Sequence, residues 1–344
     1  MARVGISCTL AGSALALSAT GSAQAAGLSN NKISGIDVAV SCMTASRCVA
    51  VGDGPHHGQV VALTNGKQTR VSTVGAAEHL YSVSCPASAG CWAVGPQNTG
   101  ANVVLVKIGS TGKVTKSIKV TVPAGASLTR IACVSMSSCE LVGTNIFFTP
   151  FALEIASWNG KKLSVHRLAG LKGSTDATLE GVSCWRASCD AVGYYFHNVS
   201  KITGFILTIS RGKAGKVHTA NNDSFYGVSC VSSSKCYTAG FVSGAAGVVV
   251  TLTNGVAGHA QAESADVSGI ECAGATCRAS GLELGGALYY GVIVTLSNGV
   301  AKGSPVVDMA INGFDGPQTI AKRGDGFAAV GPQQKGTGSE VATG

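Results

Sequence analysis

The chain has 344 residues, 25 Lys and Arg against 17 Asp and Glu, a net charge of +8, and only 12% charged residues. The basic residues are scattered rather than clustered, which argues against a nucleic-acid-binding face. Low charge with 47 glycines argues against long surface helices, which need a charged face, and for short strands and tight turns.

Residues 1–25 read as a secretory signal. Arg3 gives the positive start, Val4 to Thr20 is small and apolar, and Ala23-Gln24-Ala25 is a small-x-small cleavage site. That apolar run is too short, and too broken by Gly and Ser, to span a membrane, and no later stretch is long and apolar enough. Cys8 lies inside the signal. Gly5-Ile6-Ser7 before it lacks the usual Leu of a lipoprotein signal and comes too early. Removal of the signal leaves an even number of cysteines in an exported chain, which points to disulfides. Residues 26–344 are then expected to form one secreted, extracellular domain, monomeric and without a cofactor.

The remaining cysteines fall into six pairs: Cys42/Cys48, Cys85/Cys91, Cys133/Cys139, Cys184/Cys189, Cys230/Cys236 and Cys272/Cys277. Each pair sits in the same phrase, such as Val83-Ser84-Cys85 followed by Cys91-Trp92-Ala93-Val94-Gly95. A seventh copy without cysteines runs from Ile320-Ala321-Lys322 to Phe327-Ala328-Ala329-Val330-Gly331. Seven copies of roughly 46 residues match four-stranded propeller blades. In each copy, strand a precedes the first Cys and strand b runs from the second Cys to Gly, so that the pair brackets the a–b loop. A β-branched strand c, such as Gly247-Val248-Val249-Val250-Thr251-Leu252, leads through a turn to strand d. Asn65-Gly66, Asn159-Gly160, Asn254-Gly255 and Asn298-Gly299 supply that turn in four copies, with residues suited to two positive-φ positions. The expected fold is all-β: a seven-bladed β-propeller of four-stranded antiparallel blades, with one disulfide in the a–b hairpin of six blades. The last copy stops after its third strand, and Leu28 to Ile33 are expected to supply the fourth. Zinc is disfavoured, because C-x5-C is not a usual zinc spacing and the histidines share no period with the cysteines.

The Val-Ser-Cys … Cys-x-Ala-Val-Gly repeat over residues 34–331 resembles secreted bacterial, actinobacterial-type propeller proteins. Their Trp-Asn-Gly turn appears in full once, as Trp158-Asn159-Gly160. The resemblance implies a propeller distantly similar to sialidase-type and Trp-Asp-repeat propellers. It implies no activity, since propellers host unrelated functions.

Ligand-binding residues are expected on the face opposite the cysteines, where the d–a and b–c loops lie. One residue before the Val of each phrase come Ala39, Ser82, Arg130, Gly181, Gly227 and Gly269. Two before come Val38, Tyr81, Thr129, Glu180, Tyr226 and Ser268. Arg130 and Glu180 are the charged departures, with Tyr81 and Tyr226 beside them. The b–c loops carry aromatic clusters, represented by Phe148, Tyr195 and Tyr290, suited to stacking on sugar rings or packing a peptide. His56-His57 and Glu78-His79 lie in neighbouring loops, and Asn198-Val199-Ser200 matches a glycosylation sequon. Motifs of common hydrolases and of sialidase blades are absent. The expected function is binding of a glycan, cell-surface polymer or extracellular protein without catalysis. The enzymatic alternative is a glycoside hydrolase or polysaccharide lyase using Glu180 and Arg130.

Overall fold

The computed structural model describes residues 29–98, 102–145, 152–168, 171, 174–198, 201–221, 223–242, 247–263, 265–285, 288–303, 305–308, 320–332 and 339–344. The expected signal, Phe148 with its neighbours, and Val199-Ser200 of the sequon lie outside them. Seven antiparallel sheets succeed one another along the chain. Blade one is typical, with strands Ile36–Cys42, Arg47–Asp53, Gly58–Thr64 and Lys67–Val74 paired in order. Blade six differs in its outer strand, which is split into Val300–Ala301 and Val306–Asp308, both paired with Leu288–Ser297. Among the described residues no helix is long and apolar enough to cross a membrane.

The ring closes through blade seven. Its strands Ile320–Arg323, Gly326–Pro332 and Ser339–Thr343 come from the end of the chain, and its outer strand, Ser29–Ile33, comes from the beginning. The register runs from Ser29 opposite Thr343 to Ile33 opposite Ser339.

All six expected disulfides form: Cys42–Cys48, Cys85–Cys91, Cys133–Cys139, Cys184–Cys189, Cys230–Cys236 and Cys272–Cys277. In five of them the two cysteines stand directly opposite each other on strands a and b. Cys85–Cys91 lies in an irregular stretch of its ladder, where regular pairing lapses after Ser84–Trp92 and resumes at Ala87–Gly90. A loop of about seven residues closed in this way stabilises by roughly 2–2.5 kcal/mol in the chain-entropy model. Six such bonds call for an oxidising compartment. In blade seven Lys322 and Phe327 take the opposed positions that cysteines hold elsewhere.

The position of the bonds corrects the sequence reading in one respect. The second cysteines do not begin strand b at the edge of a loop. Cys139, Cys189 and Cys277 each stand second in their strands, Ser138–Asn145, Ser188–Asn198 and Thr276–Gly285. The ladder continues past them to Ser135–Ser138, Trp185–Ser188 and Ala273–Thr276, so the true turn is only two residues long. Cys139, Cys189 and Cys277 are therefore buried, at 2%, 3% and 1% exposure, and pack into the seams between blades as small apolar groups. They are structural residues.

The apolar core lies in those seams. Val49, Val60, Val83, Ala93 and Val104 fill the first, and Trp92 meets Trp158 edge-on at 5.4 Å in the next. Among the described residues the seam between blades six and seven is the smallest, built on Ile293, Ile320, Phe327, Ala329 and Ala342. Polar ties reinforce the seams near the axis. The hydroxyl oxygens of Ser41, Ser84, Ser183 and Ser229 accept the N–H of Cys85, Cys133, Cys230 and Cys272 in the following blade, at 2.9–3.0 Å. The Ser-Cys of the repeat is therefore one inter-blade hydrogen bond, worth about 1 kcal/mol, with a disulfide attached.

The turns correct another expectation. Asn65, Asn254 and Asn298 take positive φ (52°, 51° and 54°) with the following Gly, as the type I′ turn requires. At Asn159-Gly160 only the glycine does so. Asn159 instead accepts the N–H of Lys161 and Lys162 with its side-chain oxygen. Blade four obtains the two-residue turn from Arg211-Gly212, at φ 51° and 73°.

Three acids are held where water is scarce. Burial pushes Asp190 up to about 6, Glu263 to about 7, and Glu271, opposed by Lys322, to about 7. Asp190 lies against Cys230 and Cys236, whose sulfurs are bonded to each other and offer it no charge.

Two outcomes are expected. Deleting residues 29–33 removes the outer strand of blade seven and lowers the melting temperature by many degrees; an unchanged melting temperature overturns the closure. The three raised carboxyl groups bind protons more tightly folded than unfolded, so their contribution is complete below the unfolded values near about 4. It is lost as pH rises through 6 to 7. Calorimetry should show a melting temperature several degrees higher near about pH 5 than near about pH 8, and substituting Asn for Asp190 should reduce that difference.

Candidate functional site

Inner strands of the blades carry a β-bulge near the end remote from the cysteines. Pairing skips from Asp37 to Ala39, Leu128 to Arg130, Leu179 to Gly181, Phe225 to Gly227 and Val267 to Gly269. The residues passed over are Val38, Thr129, Glu180, Tyr226 and Ser268. Blade two does the same at its strand start, where the Tyr81 N–H donates to the Val94 carbonyl at 2.9 Å. A bulge turns the passed-over residue out of the ladder and re-aims its side chain. Leu80, Leu128, Leu179, Phe225 and Val267, just before the bulge, are buried instead.

The glycine expected to end strand b stands inside it, at Gly143 of Ser138–Asn145 and Gly193 of Ser188–Asn198, and makes the bulge possible. A Cβ on Gly193 would collide with the carbonyl oxygen of Thr178, and one on Gly143 with that of Ser127. The Gly of the Ala-Val-Gly phrase thus leaves room for the bulged backbone across from it.

Arg130, Glu180 and Tyr81 converge from three adjacent blades. The Arg130 guanidinium reaches across the seam with Nη2 2.9 Å from Glu180 Oε2, and its Nε donates to the Glu180 carbonyl at 2.8 Å. Thr178 donates to Glu180 Oε1 at 3.0 Å. The two charged side chains are 15% and 21% exposed, so the pair is partly screened and still reachable. Burial, then Asp53 and Glu78, raises the Tyr81 pKa, and Arg130 opposes them. Tyr81 stacks on His79 at 5.9 Å, and His79 Nδ1 lies 2.8 Å from Asp53 Oδ1.

On the other side of Glu180 the site continues as rings. Tyr194 lies 5.5 Å from Tyr226, which meets Phe241 edge-on at 5.2 Å. Tyr194 also meets Phe196 at 5.7 Å. Burial, Tyr226 and Glu180 push the Tyr194 hydroxyl up to about 12. Asp176, Thr178, Glu180, Tyr194 and Phe196 line a cavity of about 230 Å³. Together these residues form an arc over blades one to five, with a charge pair between two groups of rings.

Of the residues expected from sequence, Tyr81, Arg130, Glu180 and Tyr226 lie in this arc. Tyr195 does not. The segment Tyr194–His197 is part of the long strand Ser188–Asn198 and not a loop. Strand alternation therefore sends Tyr194 and Phe196 to one side and Tyr195 to the other. Tyr195 is 6% exposed and packs on His197 and Phe205 in the seam core. Tyr290 is half-buried on a strand of blade six, opposite Glu283, in a blade away from the arc. Phe148 lies outside the described residues. His57 Nδ1 lies 2.7 Å from Asn98 Nδ2. The Asp53–His79 contact and Phe241 were not singled out in the sequence, and Tyr194 belonged to an aromatic cluster represented by Tyr195. Asp53 and His79 stand 26 positions apart in neighbouring blades, so only the repeat alignment, extended past strand b, carries a signal for them.

No protein-family model matches the chain, and no curated protein does. Among solved structures it is similar to YCF48 bound to D1 peptide, at TM-score 0.53 and 12% identity, over 92% of this chain and 96% of that one. It also aligns with the WD40 repeats of RRP9, at TM-score 0.48 and 9% identity, over 77% of this chain and 93% of that one. At such identities the likeness to the first shows a shared propeller fold.

Replacing Gly193 with Ala should cost about 2–3 kcal/mol through the collision with Thr178 and disturb the Tyr194–Tyr226 contact. Denaturant unfolding measures the first and tyrosine fluorescence the second. Full stability in the Ala variant would refute the role given to this glycine.

Proposed function

We propose that the chain is an exported binding propeller that takes a glycan or cell-surface polymer on the face opposite its disulfides, without catalysis. The observation that carries this reading is the arc itself. Half-buried Tyr81, Tyr194 and Tyr226 offer ring faces and hydroxyl groups, and the Arg130–Glu180 pair between them offers donors and acceptors at once. Sugars are recognised by that combination of apolar ring faces and fixed polar groups. Glu180 has one oxygen held by Arg130 and the other by Thr178, an arrangement that suits a fixed acceptor. Export is supported by residues 1–25 and by the oxidising compartment that six disulfides need.

A second reading rests on one observation: Asp176 and Glu180 line the same cavity, and paired carboxylates are the machinery of glycoside hydrolysis. A third is a protein-interaction scaffold, in keeping with a propeller of the same fold having been solved with a peptide.

A glycan array probed with the mature protein separates the three, with a polysaccharide-degradation assay and a peptide array run beside it. Saturable glycan binding that falls at least about tenfold in Tyr226→Ala, with no new reducing ends, is the expected result. Reducing ends that vanish in Glu180→Gln would replace binding by hydrolysis. Peptide binding without glycan binding would replace the ligand class.

A further inference from the structure

The opposite face is charged at one seam. At four seams a serine hydroxyl of one blade accepts the cysteine N–H of the next, and Ala132 and Ala321 hold the serine position at the seams between blades three and four and between blades seven and one. Between blades six and seven Glu271 stands in the serine position and Lys322 in the cysteine position. This seam also has the smallest apolar core among the described residues and borders the blade without a disulfide.

Two cavities meet there. One, of about 340 Å³, is the cysteine end of the central channel, ringed by the inner strands. Glu271 and Lys322 are the charged residues in its wall among the described residues. The other, of about 250 Å³, is a cleft between blades six and seven, bounded by Thr276, Arg278, Ile320, Asp325 and Phe327. Glu271 and Lys322 border both cavities.

Arg278 is already fixed for use. It is the cross-strand partner of Glu271, its guanidinium lies 5.2 Å over the Phe327 ring, and Nη1 donates to the Asp325 carbonyl at 3.2 Å. A guanidinium oriented in this way matches a carboxylate fork. Lys322 is exposed and adds a second, mobile cation. Ile320 and Phe327 give the cleft an apolar wall.

We propose that this cleft binds a small monocarboxylate, held by Arg278 and Lys322 with its apolar tail against Ile320 and Phe327, and that Glu271 governs its entry. Ionised, Glu271 attracts Lys322 and repels the ligand. Protonated, it releases Lys322 and can donate a hydrogen bond to the ligand carboxylate. The groups around Glu271 are Lys322 on the inner strand of blade seven, Arg278 on its own sheet and Asp325 in the adjoining turn. The inner strand of blade five brings no charge to the channel wall here. Burial has already moved Glu271 to about 7, so the exchange falls in an accessible range. A phosphate dianion fits less well, because Glu271 and Asp325 both oppose the extra charge.

The test is an NMR titration of the full mature protein with butyrate, and in parallel with inorganic phosphate, near about pH 5.5 and about pH 8.5, on either side of the raised Glu271 value. Saturable shifts at the Arg278 and Lys322 side chains are expected, with affinity on the order of tenfold higher at the lower pH. Lys322→Gln, an exposed substitution with little effect on folding, should weaken binding severalfold. Glu271→Gln should bind equally at both pH values. The proposal is overturned by absence of saturable shifts at the lower pH, by a pH dependence that survives in Glu271→Gln, or by phosphate binding as tightly as butyrate.

Discussion

Seven inner strands converge on one axis, and the crowding there shapes both faces of the ring. Each strand must pass its neighbours with side chains small enough to leave a channel and polar enough to satisfy one another. Ala39, Ser82, Gly181, Gly227 and Gly269 meet the first demand at one level. The four Ser-to-Cys hydrogen bonds meet the second at another. Arg130 stands where these blades have a residue no larger than Ser. Its side chain fits by extending across the seam to Glu180, whose carbonyl and carboxylate both receive it. The charge pair at the upper face is a direct consequence of an arginine placed in a crowded ring.

The two ends of each inner strand are built by different devices. At the cysteine end, a disulfide in six blades and a shared hydrogen bond at four seams fix the backbone, which leaves little freedom for variation. At the other end the bulge frees one residue from the ladder in each of blades one to six, and Gly on strand b keeps the backbone able to do so whatever that residue is. Val38, Thr129, Glu180, Tyr226 and Ser268 have little chemistry in common. A position that tolerates such variety on a fixed backbone is well suited to recognition, and the arc from Tyr81 to Phe241 takes Tyr81, Glu180 and Tyr226 from it.

The blades and their order were legible because the cysteine phrase marks the same two strands in each copy, and the outer-strand closure came from counting strands. How far the ladder runs beyond the cysteines was not legible. The polar residues between them read as loop, whereas pairs such as Ser135–Ser138 carry the strands onward and bury Cys139. The column containing Glu180 and Tyr226 was legible as a set of departures, although its physical basis, the bulge, was not. Alignment shows which residue varies and not that pairing skips it. Tyr195 was misplaced because aromatic residues in a run look alike in sequence, whereas a strand divides them by alternation, burying Tyr195 beside Phe205 and sending Tyr194 to Tyr226. Asn159 and Arg211 exchanged roles for a related reason. A two-residue turn depends on backbone φ, which Asn159 sidesteps by binding the backbone of Lys161 and Lys162 through its side chain. The Asp53–His79 contact joins two blades and has no counterpart in a motif within one.

Blade seven unites the remaining departures. It is the one sheet assembled from both ends of the chain, and Thr343 reaches back across 314 positions to the carbonyl of Ser29. Loop-closure entropy grows only slowly with length, so pairing five residues at such a distance costs little more than pairing them across one blade. A disulfide in its a–b hairpin would constrain only a short local loop and would do nothing for the contact that closes the ring. Without cysteines, the opposed positions were free to become Lys322 and Phe327, and the preceding blade could carry Glu271 in place of serine. The same absence that leaves the seam weakest in apolar packing among the described residues therefore gives it charged groups on a stretch of channel wall whose other described residues are neutral.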